Sequence, residues 1–243
     1  MLHWRSRSSG RWLEKRAMLT TTEPAELSEV WSGITGRTTD VVGLGALIAR
    51  IAVCRACQEA GLLGEAHPIT AAPRDARVMV IGQAPGPVTH REGIHFAGPA
   101  GRTMAGWFQR AGFPPGEAHK WPYLAAAWLS SLTRCFPGPS GSGNGDRAPS
   151  TREIALCRPF LEEEIALVDP DIVILIGAMA VRAFLGRVKL DDVIGNRFER
   201  DGRVLIPFPH SSGVSRWGNR PENKAKIERA VEQLSAERER LRL

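Results

Sequence analysis

The sequence has no uninterrupted apolar run near the roughly 20 residues that cross a bilayer. The run Ile172 to Ile176 has the length of a buried strand, so a soluble protein with no membrane partner is expected, placed in the cytoplasm. Neither G-x-G-x-x-G nor G-x-x-x-x-G-K-S/T occurs, which argues against a glycine-rich nucleotide loop. No internal repeat is visible. The segment Met1 to Arg16 is rich in Arg and Ser and lacks the apolar core of a secretory signal. Residues 1–20 therefore read as a disordered basic arm or an extension upstream of a true start at Met18, and residues 21–243 as one domain. Acidic residues are in deficit, 26 against 32 Lys and Arg, for a formal charge of +6. Such a surplus suits a polyanionic partner, although much of it lies at the chain ends, in Arg5, Arg7, Arg11, Lys15, Arg16 and the stretch Arg238–Arg242.

Cysteine is scarce but ordered. Cys54 and Cys57 form one Cys-x-x-Cys pair, while Cys135 and Cys157 stand alone. A zinc ribbon normally brings two close pairs, whereas an iron–sulfur cluster takes thiolates from scattered points of a chain. Core thiols and disulfides are the plainer readings. A metal set uses all four cysteines with none left over and implies a reducing compartment.

Continuous apolar runs alternate with helical patterns. Val78-Met79-Val80-Ile81 ends at Gly82, a mostly apolar stretch spans Tyr123 to Leu132, DIVILI ends at Gly177, and Val204-Leu205-Ile206 runs into Pro207. Runs of this kind are expected of parallel strands covered on both faces. Ser150 and Glu153 form a capping-box pattern, after which Ile154, Cys157, Leu161, Ile165 and Val168 share one helix face. Helices are also expected over Gly101–Ala111, over Ala178–Leu185, and from Pro221 with Ile227, Val231, Leu234 and Leu241 on one stripe. Pro137 to Pro149, rich in Gly and Ser, reads as a flexible loop. The fold expected is α/β, a three-layer α/β/α sandwich around a mainly parallel four-stranded sheet. Such sheets bind ligands at the carboxyl ends of their strands, where Gly82–Gly86, Ser130–Ser131 and His210 all fall.

The Gly82-Gln83-Ala84-Pro85-Gly86 turn combines backbone freedom with a fixed proline, and its amides suit a planar heterocycle or an anion. Phe96, followed by small residues, is a stacking platform for a base. His210, after the last strand, is placed to donate to charge developing on a substrate oxygen. Taken singly, each has a structural explanation: a strand-to-loop turn, a core ring, a satisfied histidine.

Together these segments resemble the uracil-DNA glycosylase superfamily, most closely its iron–sulfur bacterial and archaeal branch. The likeness covers roughly Val42 to Leu234 and runs through Cys54-x-x-Cys57, IGQAPG, FAGPAGRTMAGWFQRAGF, LTRCFPG, CRPFLEEEIALVDPDIVILIGAMAVRAFLG and PHSSGVSRWGN. It implies a monofunctional DNA repair glycosylase that hydrolyses the N-glycosidic bond of a flipped uracil, leaving an abasic site. In this resemblance Gly82, Gln83 and Ala84 back the base, Phe96 stacks on it, and Ser131 stands in the base-reading place. His210 contacts the base oxygen. Ser211, Ser212 and Arg216 face the DNA backbone, and the four cysteines hold a structural 4Fe-4S cluster. The expected partner is DNA carrying uracil or other deaminated bases, and the expected state is a monomer.

The chain departs from that pattern in its active-site segments. Ala84 and Gln83 leave the first loop without an acid, Ser131 replaces an asparagine, and His210-Ser211-Ser212 replaces His-Pro-Ser. Water activation then falls to another group, with His90 and Glu92 nearest in sequence, and the base range is expected to extend to hypoxanthine or xanthine. Two alternatives remain at this point. One is a module that traps uracil or abasic DNA covalently through His210; the other is an iron–sulfur redox or sensor protein.

Overall fold

The computed structural model describes residues 39–72, 74–114, 126–141, 145–212 and 216–243. The expected arm at residues 1–20 lies outside the described residues. Two N-terminal helices, α1 (Val41–Ala52) and α2 (Ala56–Glu59), precede β1 (Val78–Gly82), α3 (Pro87–Glu92) and α4 (Pro99–Arg110). Then come β2 (Ala127–Ser131), α5 (Thr151–Val168), β3 (Ile172–Ile176), α6 (Gly177–Leu185) and α7 (Leu190–Val193). The chain closes with β4 (Phe198–Arg200), β5 (Arg203–Phe208), a 3-10 turn at Arg216–Asn219 and α8 (Pro221–Leu241).

The sheet order is β2-β1-β3-β5-β4, with the first four strands parallel and β4 antiparallel to β5. The apolar runs work as expected because both faces are covered. Val78, Val80, Leu129, Ile174 and Ile206 turn one way and pack under Met104, Trp107 and Phe108 of α4 and Ala230, Val231 and Leu234 of α8. Met79, Ile81, Trp128, Val173, Leu175 and Leu205 turn the other way, against α1, α5 and α6. The result is the expected three-layer sandwich.

The sheet has five strands rather than the four expected from sequence. The extra strand, β4, is only three residues long, exposed or half-buried, and reads Phe-Glu-Arg, so it leaves no apolar run. Asp201 and Gly202, both at positive φ (51° and 71°), turn the chain back into β5, the geometry a tight hairpin favours.

Val41–Glu59 is long and apolar enough by composition to cross a membrane, although it holds no long unbroken apolar run. The helix is interrupted there between α1 and α2, and Leu44, Leu47 and Ile51 of α1 pack with Leu161, Ile165 and Val168 of α5. The start of α5 is fixed by a full capping box. Ser150 Oγ accepts from the Glu153 amide at 3.2 Å, and the Glu153 carboxylate accepts from the Ser150 amide at 2.7 Å. That cap sets the helix register and turns Cys157 inward, where it is buried.

Candidate active site and cysteine cavity

From β1 the chain crosses first to β2 on one side, and later to β3 on the other. Such a switch point opens a crevice at the carboxyl ends of the strands. A cavity of about 550 Å³ lies there, lined by Gly82 and Ser131 at the ends of β1 and β2, Ile176 at the end of β3, and His210 beyond β5. This volume is in the range of pockets that hold small organic ligands. Gln83, Ala84, Phe96, Ser211 and Ser212 also line it, so the segments singled out from sequence converge as expected.

One wall is built by close approach of a ring to backbone. A Cβ on Gly82 would stand 3.1 Å from Phe96 Cζ, so only glycine leaves this contact relaxed. Phe96 itself has φ 54°, a left-handed conformation that a bulky residue adopts at a cost of order 1–3 kcal/mol. Its neighbour His95 is buried, and burial, reinforced by the Arg134 charge, pushes the imidazole down to about 3. His95 is therefore neutral at physiological pH.

The cavity is also lined by His210. Ser212 donates its backbone N–H to His210 Nδ1 at 3.2 Å, and Ser212 Oγ lies 2.8 Å from the same nitrogen. A backbone amide can only donate, so Nδ1 is an acceptor and the neutral ring carries its proton on Nε2. Burial lowers the His210 pKa below the ordinary value, opposed by the negative charge of Asp146. Gly177 makes room behind the ring: its φ is +84°, and a Cβ there would meet His210 Cδ2 at 3.1 Å. Below it, Phe208 stacks on Trp107 with centroids 4.9 Å apart, which anchors the end of β5.

At the end of β2 the serines face a buried ion pair. Arg134 and Glu164 are both almost fully buried and meet at 2.5 Å. Ser130 Oγ donates to the same carboxylate at 2.6 Å, and Arg134 Nη1 donates to the Ser131 carbonyl. Ser131 Oγ donates to the Thr133 carbonyl at 2.6 Å. Its proton is therefore committed to backbone, and towards the cavity the hydroxyl offers lone pairs only.

The residues nominated from sequence for water activation are not among those that line the cavity. His90 packs edge-on against His67 and beside Phe136, with centroids 4.9 and 5.7 Å away, and Glu92 pairs with Arg91 at 3.4 Å. The helical register of α3 turns Thr89 and Val88 to the cavity instead. Asp146 and Arg147, which sequence reasoning passed over, do line it. Their loop was expected to be flexible. In its described parts Pro139 pairs with Asp146, Ser140 donates to the Gly145 carbonyl at 2.8 Å, and Arg147 donates to the Gly138 carbonyl at 3.1 Å. The Arg147 guanidinium grips both Glu153 oxygens at 2.7 and 2.8 Å and the Leu62 carbonyl at 3.1 Å. Within Pro137–Pro149 the adjacent Asp and Arg are the charged residues, which was the available signal. Arg216 opens the 3-10 turn, while residues 213–215 and the Arg216 side chain lie outside the described structure.

A second, small and largely apolar cavity is lined by Cys54, Cys57, Cys135 and Cys157 together with Ile51, Leu63 and Phe160. Burial, and then the proximity of Cys157, push the Cys57 thiol up to about 11 and Cys135 up to about 12. Arg134 donates its backbone N–H to Cys157 Sγ at 3.2 Å. Among the described residues no three Cys, His, Asp or Glu side chains are grouped closely enough to hold one metal ion. The four cysteines around this one cavity are the residues that could hold a metal group there. Glu153 lines this cavity and Arg147 the larger one, so their ion pair joins the two sites.

The sequence profile described as "Uracil DNA glycosylase superfamily" matches residues 69–235. A Type-4 uracil-DNA glycosylase of Thermotoga maritima is 26% identical over 145 residues, 58% of this chain and 68% of the relative. A Type-4 uracil-DNA glycosylase of Pyrobaculum aerophilum is 25% identical over 127 residues, 52% of this chain and 54% of the relative. A DNA polymerase of Bacillus phage SP01 is 23% identical over 141 residues, a match that covers 14% of the polymerase.

Proposed function

Because the chain belongs to the uracil DNA glycosylase superfamily, we propose that it hydrolyses the N-glycosidic bond of deoxyuridine in DNA, releasing uracil and leaving an abasic site. The observation that carries this reading is the His210 ring, held as a neutral donor on the wall of a cavity with room for an extruded base. Departure of the base places negative charge on its ring and carbonyl oxygens. A fixed Nε2–H aimed at that charge interacts more strongly in the transition state than in the ground state. The Gln83 and Ala84 amides back the same edge, and Phe96 stacks on the extruded ring. Extrusion costs a few kcal/mol, which the stack and the cavity offset. Ser211, Ser212 and Arg216 hold the DNA backbone beside the lesion. Turnover separates this reading from covalent capture through His210: with DNA in tenfold excess, release of several uracils per protein supports hydrolysis, and release capped at one supports capture.

Cys54, Cys57, Cys135 and Cys157 would hold a 4Fe-4S cluster whose contribution is structural, tying α2, the end of β2 and α5 together. Protein purified without oxygen is expected to be brown, with about four iron per chain. Cys135→Ser should lower stability and solubility more than the rate per folded molecule, and stoichiometric zinc without iron would contradict the assignment.

The committed hydroxyl of Ser131 deprives the cavity of a side-chain donor at the base-reading place. Selectivity built on a donor–acceptor pair is large, and its loss relaxes discrimination. We therefore extend the proposed range to hypoxanthine and xanthine. Ser131→Asn should narrow release towards uracil, measured as the ratio of single-turnover rates on uracil and hypoxanthine oligonucleotides; an unchanged ratio would remove Ser131 as the reader.

A further inference from the structure

Hydrolysis requires a water to lose a proton as it attacks, and the first loop carries no acid. Among the described residues that line the cavity, Asp146 is the one carboxylate. It sits exposed at the rim, with its Oδ2 3.7 Å from the point a Cβ on Gly86 would occupy, and so faces the Gln83–Gly86 loop. It is also close enough to His210 for its charge to act on that ring. Its place is fixed on both sides: Pro139 pairs with it across the loop, and the adjacent Arg147 is clamped to Glu153 and Leu62. A carboxylate held in this way at the edge of the cavity, within electrostatic reach of the donor that receives the leaving charge, has the placement of a general base.

We propose that Asp146 is the catalytic base that activates water for glycosidic hydrolysis, an assignment that rests on the glycosylase reading given above. In the step, the water oxygen bonds to C1′ as the C1′–N bond breaks. The bonding pair leaves with the base, one water proton passes to the Asp146 carboxylate, and the hydroxyl stays on the sugar. His210 holds the departing anion by hydrogen bonding until solvent protonates it, and Asp146 then returns its proton to solvent. Atoms and charge balance without any further reactant. Partial desolvation raises the Asp146 pKa, although His210 opposes this, and a raised pKa makes the carboxylate a stronger base. Activity requires the deprotonated form, so the rate should fall as pH drops through that pKa.

The test is single-turnover uracil release by the full chain, wild type against Asp146→Asn, across pH, with DNA affinity measured in parallel. General-base catalysis contributes about 100- to 10,000-fold, so the Asn variant should lose at least roughly 100-fold in rate. It should also lose the acid limb of the pH profile while binding DNA as tightly as wild type or more so, since a negative charge facing phosphate has gone. Wild-type rates with the acid limb intact would overturn the assignment of Asp146 and leave the glycosylase reading standing. Loss of rate together with DNA affinity, with the acid limb unmoved, would equally reject it, because that marks a structural part. Absence of base release by wild type itself would remove both.

Discussion

His210→Ala is expected to lower the single-turnover rate of uracil release by roughly 100-fold while DNA affinity stays within a few fold of wild type. The asymmetry follows from the tautomer. With Nδ1 accepting from the Ser212 amide, the one ring proton is on Nε2, and its hydrogen bond strengthens only as the base becomes anionic. Removing it costs about 2.7 kcal/mol of transition-state stabilisation, the equivalent of that factor. His210→Gln, which retains a donor on a longer arm, should recover part of the loss. A stable protein–DNA adduct in wild type that disappears in His210→Ala would identify the ring as a nucleophile instead. An unchanged rate would remove it from the chemistry.

The largest effect on stability is expected beneath the cavity. Glu164→Ala leaves Arg134 charged, buried and without its carboxylate, and strips Ser130 of its acceptor. Breaking a buried pair from one side costs about 3–5 kcal/mol, most of it the penalty of an uncompensated charge. Because Arg134 also holds the Ser131 carbonyl and gives its amide to Cys157, the loss should loosen the end of β2 and the cysteine cavity together. Chemical denaturation checks the magnitude. Replacing both partners by apolar residues of similar volume should restore much of the stability, since only one-sided loss strands a charge. A Glu164→Ala protein within ~1 kcal/mol of wild type would show that the pair is not the tie described.

Where the sequence was legible, a local pattern coincided with a physical demand. β1, β3 and β5 showed as apolar runs because both of their faces are covered, and Ser150 with Glu153 announced a cap that sets the phase of Cys157. β4 was illegible because an edge strand of three residues, with one side to solvent, needs no apolar run. His90 and Glu92 were nominated by proximity in sequence, but helical register, which neighbouring positions do not share, turns them away from the cavity. Asp146 was hidden for the opposite reason. A Gly/Ser-rich loop looks featureless until its two ends pair and an arginine clamps one of them to Glu153 in the first turn of the next helix. The role of Ser131 also depends on a contact that sequence does not encode locally in any recognisable way, the bond from its hydroxyl to the Thr133 carbonyl.

The central claim is base removal, and its most direct measurement uses the purified chain with a duplex or single-stranded oligonucleotide carrying one uracil. Incubation is followed by alkaline cleavage of abasic sites and by quantitation of free base. The account predicts a strand break at the uracil position only after alkali, with free uracil released in equal amount and in excess over protein. Intact DNA after alkali, in protein that binds the same oligonucleotide, would contradict it.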